Sequence, residues 1–308
     1  MKKQIPHFKF AFLLPQYWPI WIIIGILRLI VFLPHSGRMC CGRILGDMVY
    51  FLSPKLRKIT TINIGLCFKE KSEEERRALV RKSYHSLGKG IIETGMAWWL
   101  STEKLKSLYE VSGLDTLDTL QAQKKGVLLF GIHQSSTELG GRIAALNRPL
   151  HVMYQPTRNP LLDWLMYRYR SRIYLSLIPS HDVRRLIRLL QDNERVWYAP
   201  DQAPSPRRSV YVPFFNVLTA SSTTTSQILE LSGSPVMVCT YSRRADDKGY
   251  VVEGYPLKDF PAGNVEGDAL RLNQVSESII RQYPEQYLWQ YKRFKATPPG
   301  EVDVYAEV

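Results

Sequence analysis

From Gly126 onward the chain alternates short apolar runs with segments of helical periodicity, and this alternation is the strongest constraint on its fold. VLLFGI (Val127 to Ile132) is continuously apolar, as expected of a strand buried on both faces. HVMY (His151 to Tyr154), RVWYAP (Arg195 to Pro200), SVYVPF (Ser209 to Phe214) and PVMVCTYSR (Pro235 to Arg243) read as further strands. Helical segments over 137–146, 160–170, 182–191 and 222–232 lie between several of them. Strands alternating with helices predict an α/β fold with a mostly parallel central sheet flanked by helices. Ahead of this region a helical stretch is expected over 37–63, with a turn at Ser53–Pro54. Ser72 and Glu75 form a capping box that opens two helices, or one long interrupted one. HDVRRLIRLLQDNE (His181 to Glu194) is a basic amphipathic helix, most simply packed on one face and solvated on the other.

The N-terminal residues are a different material. Between Tyr17 and Leu33 only Arg28 is charged, and FAFLLP (Phe10 to Pro15) extends the apolar zone. Tyr17, Trp18 and Trp21 suit a membrane interface, with Lys2, Lys3 and Lys9 before the run and Arg38 and Arg43 after it. Pro15, Pro19 and the lack of a small-residue cleavage pattern argue against a removable signal. Residues 1–35 are therefore expected to be an uncleaved membrane anchor, spanning the bilayer or lying in its interface. A buried helix of the folded domain is the alternative.

The formal net charge of +13 favours anionic partners: nucleic acid, anionic lipid, a phosphorylated lipid or an acidic protein. There is no zinc-finger spacing, aromatic RNA-binding motif or basic block followed by heptads, so no nucleic-acid partner is expected. Cys40, Cys41, Cys67 and Cys239 include no C-x-x-C pair, so neither a metal site nor a disulfide scaffold is expected.

The chemistry concentrates in GVLLFGIHQSSTELGGRIAAL. His133 lies just past a strand end, where ligands meet open α/β sheets. Glu138 falls in the first turn of the helix that follows. If the chain folds back between them, the Glu138 carboxylate can accept a hydrogen bond from one imidazole nitrogen and leave the other basic. Such a pair can take the proton of an attacking alcohol. The ordinary account is a capping box, Ser135-x-x-Glu138, with His133 as a satisfied polar group.

Many further blocks carry a resemblance: ERRALV, GIIETGMAWW, QAQKKGVLLFGIH, NPLLDW, VWYAPDQ, SVYVPFF, Ala220 with Thr223–Thr225, DDKGY and PEQYLWQYKRFK. In their order along nearly the whole chain, the sequence resembles the late acyltransferases of lipid A biosynthesis, whose His-x-x-x-x-Asp/Glu motif is matched by His133 and Glu138. The resemblance implies a glycerolipid-acyltransferase-like fold, with residues 36–308 as the catalytic domain behind the anchor. It implies transfer of a lauroyl or similar group from an acyl–acyl carrier protein. The acceptor would be the 3-hydroxyl of a hydroxyacyl chain on Kdo-modified lipid IVA. It further implies the bacterial inner membrane, with the catalytic domain on the cytoplasmic side, membrane lipids as neighbours, and no metal or organic cofactor. His133 and Glu138 are the expected catalytic residues. Arg158, Asn159, Asp201, Gln202, Arg207 and Arg208 are candidates for substrate or oxyanion contact, Asn159 having the ordinary alternative of a helix cap before Pro160. Gln155 stands where that family usually has arginine in a Tyr-Arg-Pro block, Ala203–Ser205 where aspartate and glycine are usual, and Tyr291 where histidine is common. The competing readings are an acyltransferase for another lipid, such as a lysophospholipid, and a non-catalytic basic protein of the envelope.

Overall fold

The computed structural model describes residues 6–296, 298, 300–306 and 308. Two short turns of 3₁₀ helix lead into α1 (Trp18–Ile30), followed by α2 (His35–Leu52), α3 (Pro54–Cys67), α4 (Glu73–Trp99) and α5 (Thr102–Lys106). Then come β1 (Tyr109–Ser112), α6 (Leu114–Gln121), β2 (Val127–Phe130), α7 (Thr137–Asn147), β3 (His151–Tyr154), α8 (Pro160–Arg170) and β4 (Ser176–Pro179). The chain continues through α9 (Val183–Gln191), β5 (Arg195–Tyr198), β6 (Ser209–Phe214), β7 (Val217–Ser222), α10 (Thr224–Ser232), β8 (Val236–Arg243), β9 (Tyr250–Pro256) and α11 (Val265–Gln282).

The seven-stranded sheet has the order β1-β9-β8-β2-β5-β3-β4. β8, β2, β5, β3 and β4 run parallel; β9 is antiparallel to β8, and β1 pairs parallel to β9. The mostly parallel, helix-flanked sheet expected from the alternation is present. Alternating residues of β2 feed opposite faces: Leu128 and Phe130 join the core with α9, α10 and α11, whereas Val127 and Leu129 join the core with α6 and Tyr174. SVYVPF does form a strand, but outside the sheet. It pairs with β7 in a hairpin whose turn residues, Phe215 and Asn216, both have positive φ (49° and 57°), the geometry of a tight hairpin turn that matches strand twist.

Upstream, Pro54 opens α3 directly after α2 ends, since proline lacks only an N–H that a helix start leaves unpaired. The Ser72–Glu75 capping box is formed, and the helix it opens runs uninterrupted for 27 residues. α2 and α4 cross closely through glycines. A Cβ on Gly88 would collide with the backbone of Gly42 and Gly46, and one on Gly46 with the Tyr84 carbonyl.

The expectation of a spanning anchor is not met. α1 has 13 residues, so it is about 20 Å long against a hydrocarbon core of about 30 Å. Among the described residues no helix is long and apolar enough to cross a membrane. Lys2 and Lys3 lie outside the described residues. Instead, one side of the segment is docked. Phe12 packs with Leu161 and Leu165 of α8, Trp21 and Ile24 join that cluster, and Leu27 and Val31 lie against Gly95 of α4. The other side stays bare: Ile22, Ile26 and Leu29, spaced by about a helical turn, are each more than half exposed, as are Ile44, Met48 and Phe51 along α2.

The α2–α4 crossing has no room for a methyl group. Gly88→Ala is expected to destabilise the fold by about 1–3 kcal/mol, and thermal or denaturant unfolding beside Gly65→Ala, where a Cβ meets nothing within 4 Å, measures the difference.

Candidate active site

β2 and β5 are parallel neighbours with Phe130 opposite Tyr198. Three residues past each of these paired ends stand His133 and Asp201, so the register alone brings them together at the carboxyl edge of the sheet. His133 Nδ1 lies 2.6 Å from Asp201 Oδ1, and the His133 backbone N–H donates to Oδ2 at 3.0 Å. The Asp201 side chain is 1% exposed and that of His133 30%. Burial pushes Asp201 up, but the imidazole and its hydrogen bonds outweigh this and hold the carboxyl below its ordinary range. Burial likewise pushes His133 down, Asp201 pushes it up, and the balance lies above the ordinary imidazole value. An ionised carboxylate only accepts, so Nδ1 carries the proton and Nε2 keeps its lone pair.

The expected His133–Glu138 hydrogen bond is not formed. Glu138 is clamped by Arg170, whose Nε donates to both carboxylate oxygens at 3.1 and 3.0 Å and whose Nη2 donates to Oε2 at 2.6 Å. Trp98 Nε1 approaches Oε1 at 3.3 Å, and its indole stacks on Tyr169, the residue before Arg170. The physical reason is reach: the Asp201 loop meets Nδ1 from the adjacent strand, while the α7 turn aims Glu138 at α4 and α8. Nor is Ser135-x-x-Glu138 a capping box. The residue preceding the first helical turn is Ser136, without a side-chain cap, and Ser135 Oγ instead meets Ser86 Oγ at 2.7 Å.

The loop carrying His133 is held from behind. The Leu288 N–H donates to the His133 carbonyl, Ser135 N–H to the Gln286 carbonyl, and Tyr241 Oη to the Ile132 carbonyl. This gives the PEQYLW block its structural role. Beneath it, Arg243 and Glu93 form a buried pair with Nε–Oε1 2.6 Å and Nη2–Oε2 2.9 Å. Tyr250 Oη donates to Glu93, and the Arg243 guanidinium donates to Ser86 Oγ at 3.2 Å.

Two cavities meet at His133. One, of about 290 Å³, runs between the sheet and α7, lined by His133, Glu138 and Arg170 at one end and by Leu129, Ala144 and Leu150 at the other. The second, of about 570 Å³, is more polar and includes Gln202, Arg208, Ser222, Thr224, Tyr291 and Lys295.

Among the other expected residues, Gln202 lines both cavities and Arg208 the second, whereas Arg207 lines neither. Gln155 also lines both and accepts a hydrogen bond from Ser180. Asn159 caps α8, accepting from the Leu161 and Leu162 N–H groups, and Arg158 lines neither cavity. Asp201 appeared among the substrate-contact candidates; its observed place is under the histidine. Arg170 and Trp98 were not anticipated. They lie 32 and 40 residues from Glu138, and nothing in local spacing announces them. The equal offset of His133 and Asp201 past two neighbouring strands was the signal available for that pair.

A histidine with one nitrogen fixed by a buried carboxylate, set between an apolar and a polar cavity, belongs to a protein that activates a proton-bearing group beside an apolar chain. Comparison with known sequences agrees. A model of the family described as bacterial lipid A biosynthesis acyltransferase matches residues 5–296. The chain is 40% identical to the lipid A biosynthesis lauroyltransferase of Escherichia coli (strain K12), over 96% of this chain and 98% of that one. It is 36% identical to the lipid A biosynthesis palmitoleoyltransferase of the same organism, over 98% of this chain and the whole of the relative. It is likewise 36% identical to a lipid A biosynthesis acyltransferase of Haemophilus influenzae, over 96% of each chain. The chain belongs to the bacterial lipid A biosynthesis acyltransferase family and is an acyltransferase.

Because Asp201 raises the His133 pKa, Asp201→Asn is expected to lower it. Titration of the His133 imidazole by NMR in both proteins measures the shift; an unchanged or raised value would show that Asp201 does not govern the ring.

Proposed function

We propose that this acyltransferase moves a fatty acyl group from an acyl–acyl carrier protein thioester to the 3-hydroxyl of a hydroxyacyl chain on Kdo-modified lipid IVA. The observation that carries the reading is His133, its Nδ1 tied to Asp201 and its position shared by an apolar and a polar cavity. His133 Nε2 takes the acceptor hydroxyl proton as the oxygen attacks the thioester carbonyl carbon. Asp201 fixes the tautomer and stabilises the imidazolium. Charge then develops on the carbonyl oxygen. Arg170 lines the same cavity and engages Glu138 through Nε and Nη2; in this reading its remaining Nη1 answers that charge. Glu138 thus serves by holding the cation. Collapse of the tetrahedral adduct breaks the C–S bond, and the imidazolium returns its proton to the departing thiolate.

The polar cavity suits the acceptor's headgroup. Gln202, Arg208 and Lys295 supply donors and positive charge for phosphates and sugar carboxylates. The names of the similar lauroyl- and palmitoleoyltransferases support a medium or long fatty acyl donor. The acidic carrier protein and the anionic acceptor both match the formal charge of +13. We place the protein on the cytoplasmic side of the inner membrane, with α1 lying in the interface. The bare rows of α1 and α2 enter the apolar zone, and the docked side of α1 keeps them fixed to the catalytic unit.

The deciding assay is acyl transfer from carrier-protein thioesters to purified Kdo-modified lipid IVA. His133→Ala is expected to lose about 10²–10⁴ in rate, and Glu138→Gln to lose rate through the freed Arg170. Since the working base is neutral, the rising limb of kcat/KM against pH should follow the raised His133 pKa and move to lower pH in Asp201→Asn. Transfer to a lysophospholipid but not to lipid IVA would replace the acceptor, and a His133→Ala variant as active as wild type would remove the mechanism.

Ile22→Asp with Ile26→Asp is expected to release the protein from anionic vesicles while leaving its unfolding temperature nearly unchanged. Retained binding would locate the membrane contact elsewhere.

A further inference from the structure

α7 carries more than Glu138. Gly141 and Ala144 follow it at intervals of one helical turn, and all three line the apolar cavity. The acidic residue stands at the mouth beside His133. Ala144 is six residues further along the axis, about 9 Å deeper at the helical rise. The opposite wall is the sheet. His151 pairs with Val196, and Val196 with Leu128. Leu150, one residue before His151, therefore sits level with the start of β2, at the end of the sheet remote from His133. Ala144 and Leu150 therefore lie toward the inner end of the cavity, with Tyr174 beside them.

The walls there are apolar and tight. Cys239 faces the cavity with its thiol held neutral, burial pushing its pKa up to about 12. Gly141 is small for a reason visible in the structure: a Cβ there would fall on the Tyr174 hydroxyl, so that point is already filled to contact. Ala144, by contrast, offers only a methyl group to the cavity wall.

We propose that Ala144 and Leu150 are the stop that sets the acyl chain length this enzyme accepts, measured along α7 from Glu138. This rests on the proposed acyl transfer. An apolar chain shorter than the cavity leaves surface unburied, and one longer must displace packed side chains, so selection falls off on both sides of the matching length. The small side chain of Ala144 leaves room for a longer chain than a bulky residue there would allow.

The test is the ratio of kcat/KM for myristoyl to decanoyl carrier-protein thioesters, with Kdo-modified lipid IVA as acceptor. A ratio is insensitive to the fraction of each variant that folds. Ala144→Leu should lower the ratio by about tenfold or more, the scale expected when methylene groups lose their burial. Leu150→Ala, which adds room, should raise it, and the double variant should return toward wild type. If wild type transfers both chains and the ratio stays within about twofold in both single variants, the stop lies elsewhere and the proposal fails while the acyltransfer reading stands. If wild type transfers neither of these chains nor lauroyl to this acceptor, the proposed donor and acceptor fail, and this inference with them.

Discussion

The site depends on a charge pair that lines neither cavity at His133. Glu93 and Arg243 are 0% and 3% exposed, and they join α4 to β8 directly beneath the loop that carries His133. Two ions removed from water cost several kcal/mol each, and their attraction offsets this only when the remaining hydrogen-bonding atoms are also satisfied. Here they are: Tyr250 donates to Glu93, while Arg243 reaches Ser86. The backbone of Arg243 exchanges hydrogen bonds with the Gln286 side chain, and the Gln286 carbonyl takes the Ser135 N–H. One network therefore fixes helix, strand, C-terminal segment and histidine loop relative to each other. A catalytic geometry tolerates errors of only about 0.5 Å, and this arrangement supplies such rigidity from groups with no freedom to rotate elsewhere.

The sheet and His133 were readable because both follow from local pattern: a buried strand, then a polar residue at its carboxyl end. The strands missed were YEVS (β1), SLIP (β4), VLTASS (β7) and YVVEGYP (β9), whose identity is set by neighbours. β1 and β4 are the two sheet edges, and β9 is the one strand antiparallel to β8, so the alternation of strand and helix does not announce it. VLTASS (β7) becomes a strand by pairing with β6 in a hairpin outside the sheet. The partner of His133 was misassigned for a related reason. Glu138 is near in sequence, and Asp201 is near only once β2 and β5 are known to be adjacent. Strand order is a long-range property that no local motif carries.

For the apolar N-terminal run the sequence left spanning, interfacial and buried placements open, because composition does not reveal which side of a helix is already occupied. Trp21, Ile24 and Leu27 are engaged with α8 and α4. Ile22, Ile26 and Leu29 stay exposed on the other side of a helix too short to cross. In the proposed interfacial placement such a helix would hold the site at a fixed depth, because α8, against which the segment packs, also ends in Arg170. A lipid acceptor would then meet the site without leaving the interface.

The two carboxylates at the site divide the work by environment. Asp201 lies under the ring, almost without exposure, and its charge is balanced by the imidazole it orients. Glu138 lies on the cavity wall, and its charge is balanced by Arg170. Had Glu138 held His133 as local spacing suggests, Arg170 would be an uncompensated cation drawn toward solvent or toward Asp201. Because Glu138 anchors it, the guanidinium keeps a set direction and His133 keeps its own partner. The short motif therefore contributes to two separate ion pairs, His133 with Asp201 and Glu138 with Arg170; in the proposed reaction the first serves the proton and the second the developing negative charge.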